Sequence, residues 1–221
     1  EVEMASGADG AGILFRAGLA PDSSLHSYGC RCSHRDRYPV HPTSDCTAGG
    51  GEYIIGGSRG VLFGSKTHNL AINYLCKALN QVGATHSSRV GMHTHVGTDG
   101  MEHQDKLHLV RVYLRYQDDL AKYTALSAQE TRSNGCTQAT LAVNRSWRVD
   151  SGYWSRAIGD LEGNLPGRPT LNFDRGVTAE FRAWNASRVP WRMHMAAGLS
   201  SAMVEAAAQG RSVADADLSL V

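Results

Sequence analysis

Lysine is scarce in this chain. Only Lys66, Lys77, Lys106 and Lys122 stand among its 22 basic residues, and 21 acidic residues bring the formal net charge to +1. A balance so close to neutral gives no general attraction for nucleic acid or for an anionic membrane. Long apolar runs are also missing: no uninterrupted stretch would cross a bilayer, and the opening residues do not read as a secretory signal. No Gly-x-x-x-x-Gly-Lys-Ser/Thr loop is present to cradle phosphates, and no strand-to-helix elbow is read as presenting a Ser or Cys nucleophile. Internal repeats and low-complexity tracts are absent as well.

Cysteine is present in an odd number, five, which points to a reducing compartment. Cys30, Cys32 and Cys46 lie among His26, His34 and His41, residue types that bind zinc. Their Cys-x-Cys spacing has no second matching pair, so free thiols in a loop are the favoured reading over structural zinc. With 221 residues and 42% hydrophobic content, residues 1–221 read as one domain with room for a sizeable core. The numbering opens at Glu1 rather than at a Met, so the natural start is expected to have been trimmed or left out.

Along the chain, "EVEM" reads as a short strand and "ADGAGILFRAGLAP" as a Gly-rich turn into a short helix. Residues 21–51 read mostly as loop with a hairpin, and "GEYIIGG" as a strand bounded by glycines. "KTHNLAINYLCKALNQVG" places Leu70, Tyr74, Leu75, Ala78, Leu79 and Val82 at helical spacing, with Gly83 as its stop. A second long helix is predicted over "MEHQDKLHLVRVYLRYQDDLAKYTAL", burying Leu107, Val110, Leu114 and Leu120. Residues 130–170 form an irregular insert of the kind that serves as a lid or binding loop. "GVTAEFRAWN" is the last strand, a helix runs from Pro190 to the vicinity of Gly210, and a weakly ordered tail begins at about 211.

"GMHTHVGTDG" raises the functional question. Alternate residues of a strand share a face, so His93 and His95 project together, and Met92, Thr94 and Val96 face a core. Two more strands repeat this habit: Glu1 and Glu3 flank Val2, and Glu180 and Arg182 flank Phe181. If these strands form one antiparallel sheet, its back is apolar and covered by helices, while its open front carries carboxylates, imidazoles and one guanidinium. Such crowding calls for divalent cations, and carboxylate with imidazole suits Mg²⁺ or Mn²⁺. Glu52 is the natural fourth carboxylate. Arg182 suits a phosphate, which it can grip with two parallel hydrogen bonds. The combination suggests transfer of a nucleotide γ-phosphoryl group, where catalysis is mainly positioning and charge neutralisation. Each pair taken singly also fits an ordinary solvated strand face.

The Glu-x-Glu of the first strand, "DCTAGGGEYI", "VGMHTHVG" and "VTAEFRAWNAS" occur in the order seen in the amidoligases, and "LHSYGC" is similar to that family's early His-x-Tyr segment. The resemblance runs from Glu1 to about Ala208 and is most specific at "GMHTHVG" and "AEFRAWN". It places the chain beside the carboxylate–amine ligases that share a fold with glutamine synthetase and glutamate–cysteine ligase. The implied fold is α+β: a curved antiparallel sheet, or half-barrel, with helices on its convex face and ATP with Mg²⁺ on the concave one. Glu1, Glu3, Glu52, His95 and Glu180 then correspond to metal ligands, and Arg182, Arg175 and His93 to nucleotide contacts. Arg182 and Asp45 take the catalytic roles, Asp45 as a contact to the substrate amine. The family usually carries residues, including a Gly, ahead of its first Glu-x-Glu, a feature this sequence does not contain.

The activity implied is ATP-dependent joining of a small-molecule or peptide carboxylate to an amine through an acyl phosphate, in the cytoplasm of a bacterium or from a phage gene. The alternative is a non-catalytic binding or assembly module on the same fold, associated with an oligomer, a phage or another particle. A metal-dependent hydrolase using the His pair is a third reading. Trp147, Arg148, Trp154 and Arg156 in the insert are candidates for specificity contacts.

Overall fold

The computed structural model describes residues 2–4, 10–21, 37–44, 51–56, 60–85, 91–124, 171–173 and 177–210. Helices and antiparallel strands are mixed, with no closed barrel among the described residues. The chain divides into two compact units, Glu1–Met92 with Asn185–His194, and His93–Trp184 with Met195–Val221.

The first unit is built on β1 (Val2–Met4), β2 (Val40–Ser44) and β3 (Gly51–Ile55), with α1 (Gly10–Arg16) and α2 (Lys66–Gln81). β3 lies between β2 and β1, antiparallel to both, and β1 pairs through Val2 with Met92 at the start of the next strand, β4 (Gly91–Gly97). The described part of 21–51 holds β2, which pairs with β3 rather than with a second strand of that segment, and the two pairings of β3 set Thr43 and Glu3 on either side of Glu52 in the register. Val2, Met4, Val40 and Tyr53 are buried, as are Leu14 of α1 and Ile72, Leu75 and Leu79 of α2. Burial of each such side chain contributes about 1.5–3 kcal/mol. α1 enters closely: a Cβ on Gly10 would stand 2.7 Å from the Tyr53 hydroxyl and 3.6 Å from Leu79.

Ser65 caps α2 by accepting the His68 N–H at 3.2 Å. The helix stops at the expected glycine, since Gly83 has φ +60° and the Ala84 N–H reaches back to the Leu79 carbonyl. Its buried face differs from the expected stripe. Leu70 and Tyr74 are exposed, and the face that packs runs through His68, Ala71, Ile72, Leu75, Cys76 and Leu79. Steps of three and four residues from Leu75 and Leu79 lead back to Ile72 and His68, not to Leu70.

The second unit holds the remainder of β4, α3 (His103–Thr124), β5 (Leu171–Asn172), β6 (Thr178–Asn185) and most of α4 (Pro190–Ala208). Its strand order is β4-β6-β5, with Leu171 opposite Phe181 and Asn172 opposite Glu180. The two-residue β5 was not anticipated; it is too short to show an alternation. The Thr98 N–H donates to the Val177 carbonyl at 2.9 Å, setting the end of β4 beside the start of β6. Leu107 and Val110 of α3 are buried as expected, whereas the side chains of Leu114 and Leu120 lie outside the described residues. Tyr113 meets Phe181 edge to face at 5.9 Å, and Trp184 donates to the Ser200 hydroxyl of α4 at 3.2 Å. The insert at 130–170, the tail from 211 and the Cys30, Cys32 and Cys46 cluster lie outside the described residues. Among those described, no helix is long and apolar enough to cross a membrane.

Candidate functional site

The alternation of β6 positions the second unit's polar group. Ala179 and Phe181 are fully buried on the side that meets Tyr113 of α3. Glu180 and Arg182 take the other side. That side is not the open face the sequence suggested: the Glu180 side chain is 2% exposed and His93 of β4 only 5%. A carboxylate so deep in the protein costs several kcal/mol to desolvate unless it is compensated. Compensation comes from Arg182, whose Nη2 stands 2.8 Å from Glu180 Oε1, a short charge-assisted hydrogen bond.

Two imidazoles converge on the same oxygen. His93 Nδ1 and His95 Nε2 each lie 3.5 Å from Glu180 Oε1, beyond the range of a good hydrogen bond. His95 opens towards solvent and His93 does not. Met92 is buried as expected of the opposite face, but Thr94 and Val96 are only partly covered. In the first unit, Glu52 is buried and accepts from the Thr43 hydroxyl, Oγ1 to Oε2, at 3.1 Å. The side chain of Glu3, its register partner, lies outside the described residues, as do Glu1, Asp45 and Arg175 altogether.

The structure thus brings His93, His95, Glu180 and Arg182 together in one unit and sets Glu52 beside Thr43 in the other. Thr43 was missed by sequence reasoning, although its place on a strand opposite "GGEYI" carries the signal. The donor types around Glu180, a carboxylate and two imidazoles, are those that Mg²⁺ or Mn²⁺ accepts. Their present spacing is different: among the described residues no group of three or more His, Cys, Asp or Glu is arranged to hold a metal ion. The guanidinium of Arg182 supplies the positive charge at this carboxylate instead.

The stretch from Gly56 to Gly60 spells Gly-Gly-Ser-Arg-Gly directly after β3, the letters of a serine nucleophile elbow. β3 ends at Ile55 and the next described helix, α2, begins at Lys66, while residues 57–59 lie outside the described residues. Gly56 has φ +92°, and a Cβ on it would meet the Gly60 backbone at 2.8 Å, so these two glycines approach closely. No family model matches the chain, and no curated protein or solved structure matches it either.

Proposed function

We propose that the chain is an ATP-dependent carboxylate–amine ligase, forming an amide or isopeptide bond on a glutamine-synthetase-like half-barrel. The observation that carries this reading is the buried Glu180 carboxylate with a guanidinium at 2.8 Å and two imidazoles at 3.5 Å on neighbouring strands. A guanidinium grips phosphoryl oxygens as readily as it grips a carboxylate. Arg182 exchanges Glu180 for the triphosphate when nucleotide binds, and the released carboxylate becomes available to a cation.

A divalent cation, Mg²⁺ or Mn²⁺, would be held by Glu180 and His95 and would neutralise charge on the triphosphate. The resemblance gives the same role to Glu1, Glu3 and Glu52. The substrate carboxylate attacks the γ-phosphorus, ADP leaves, and an acyl phosphate forms. An amine then attacks the acyl carbon, phosphate leaves, and the amide remains. No covalent enzyme intermediate is required. The side chains bind and orient: Arg182 and Arg175 on the phosphates, His93 as a further nucleotide contact, and Asp45 on the amine. The site is placed in the cytoplasm of a bacterium or a phage-infected cell.

Titration calorimetry with Mg·ATP tests the first requirement, and ADP release in the presence of mixed amino acids and peptides tests the second. Heat of binding that disappears in an Arg182→Gln variant shown to keep its melting temperature supports the ligase. Absence of any binding heat in the folded wild-type chain rejects it. One observation favours a second reading, a non-catalytic binding or assembly module: the Glu180 charge is already compensated within the chain. That reading predicts no nucleotide binding and an unaltered assembly state in Arg182→Gln.

A further inference from the structure

We propose that the contact between His68 and His194 is an acid-sensitive latch, holding the first turns of α4 on α2 at neutral pH and releasing them as the pH falls. The inference concerns the first unit and does not depend on the ligase reading. His68 lies in the first turn of α2, and His194 is the fifth residue of α4. The start of a helix presents unpaired N–H groups and a partial positive charge, which oppose a cation placed there. Neither helix has an acidic residue in its first turn to offset this.

The rings meet edge to face, 5.4 Å between centroids and 68° between planes. His68 is 6% exposed, and its Nδ1 is buried without a hydrogen-bond partner. An imidazolium carries two N–H donors, so protonation would put a proton on both ring nitrogens, including the buried Nδ1 that has no partner. The groups facing His68 are His194 from α4, the Phe63 ring at 5.2 Å from the preceding connection, and Asn69 on α2 itself. The charged groups flanking the pair in sequence are both cations, Lys66 on α2 and Arg192 on α4, the latter stacked 5.4 Å from the Trp191 ring.

Burial first, and then the neighbouring His194, hold the His68 imidazole below 6.5, with Asn69 pulling the other way. Burial alone lowers His194. Two further direct contacts between α2 and this segment do not titrate in the range. Cys76 Sγ lies 3.6 Å from Met193 Sδ, with its thiol pushed up to about 12 by burial, and Asn80 donates to the Arg188 carbonyl at 3.1 Å. The histidine pair is therefore the part of this contact that responds to mild acid.

Hydrogen exchange at pH 7.5 and 5.5, corrected for the intrinsic rate, tests the latch on the full chain. Peptides spanning 186–199 should open more at pH 5.5, by up to about tenfold, the ceiling for one histidine that stays neutral when closed, one pH unit below its unfolded value of 6.5. Peptides from 200–208 at the far end of α4, which contain no histidine, serve as the control and should not change. His68→Gln and His194→Gln, which cannot ionise, should each reduce the rise. An equal rise in the control, or an undiminished rise in both variants, overturns the proposal. If the variants do not fold, the wild-type imidazole signals decide: His68 titrating at or above 6.5 overturns it, and a lower midpoint supports it.

Discussion

His93 and His95 stand beside the Glu180 carboxylate, with Arg182 completing the set, whereas His68 and His194 stand against each other with no acid in the first turn of either helix. The residue type is the same in both places and the consequence is different. Around Glu180, a buried carboxylate is paired with a half-buried guanidinium, and removing either takes away the other's 2.8 Å partner. Around His68, the side chains that face it carry no charge at neutral pH, and the cost arises only when a proton arrives. A histidine pair is thus informative through what faces it rather than through its own presence.

The strongest way to break this contrast is to remove the anion. Glu180→Ala leaves the Arg182 guanidinium, 20% exposed, without its 2.8 Å partner, and should lower unfolding stability by about 3–5 kcal/mol in urea titrations. The double variant with Arg182→Ala should recover part of that loss, because no lone charge remains. If Glu180→Ala costs no more than an exposed substitution, the buried pair is not a structural unit. Because Glu180→Gln also removes the charged partner at 2.8 Å from Arg182, any activity measured on it needs the melting temperature beside it.

Next in size is the response to acid, and its sign follows from the direction of the shifts. Native His68 and His194 are held below the unfolded value of 6.5, so between the two values the unfolded chain binds more protons. The stability they permit is fully present above 6.5 and is lost as the pH falls below it. For the buried His68 the slope approaches about 1.4 kcal/mol per pH unit, and the more exposed His194 adds less. Denaturant midpoints from pH 8 to 5 measure it. His68→Phe should flatten the curve at the acid end, and an unchanged slope in that variant would contradict the assignment.

Alternation made much of the Glu180 site legible. Phe181 packs on Tyr113 while Glu180 and Arg182 take the other side, as i, i+2 spacing on a strand demands. The turn at Gly83 was legible for the same reason: a left-handed residue at a helix end favours glycine. Periodicity reports which residues share a face but not how deeply the face is covered. It therefore suggested an open polar face where His93 and Glu180 are buried, and gave no sign that Arg182 turns to Glu180 within the chain. It also misjudged the width of the apolar face of α2, where Leu70 and Tyr74 fall just outside the packed stripe. The contact of His68 with His194 was beyond it altogether, since the two lie far apart in the sequence and only the packing of α4 on α2 joins them.

The smallest effect separates the end of α2 from the titration of the histidine that sits on it. Ser65 accepts the backbone N–H of His68 itself, so the cap and the latch share one residue. Ser65→Ala removes that acceptor and should cost about 1 kcal/mol. The hydroxyl does not titrate between pH 5 and 8, and the imidazole of His68 does not take part in this bond. The loss should therefore be the same at pH 7.5 and at pH 5.5, shifting the stability curve down without changing its slope. A loss that grows or vanishes with acid would mean that fraying of the first turn of α2, not protonation of the imidazole pair, sets the pH response.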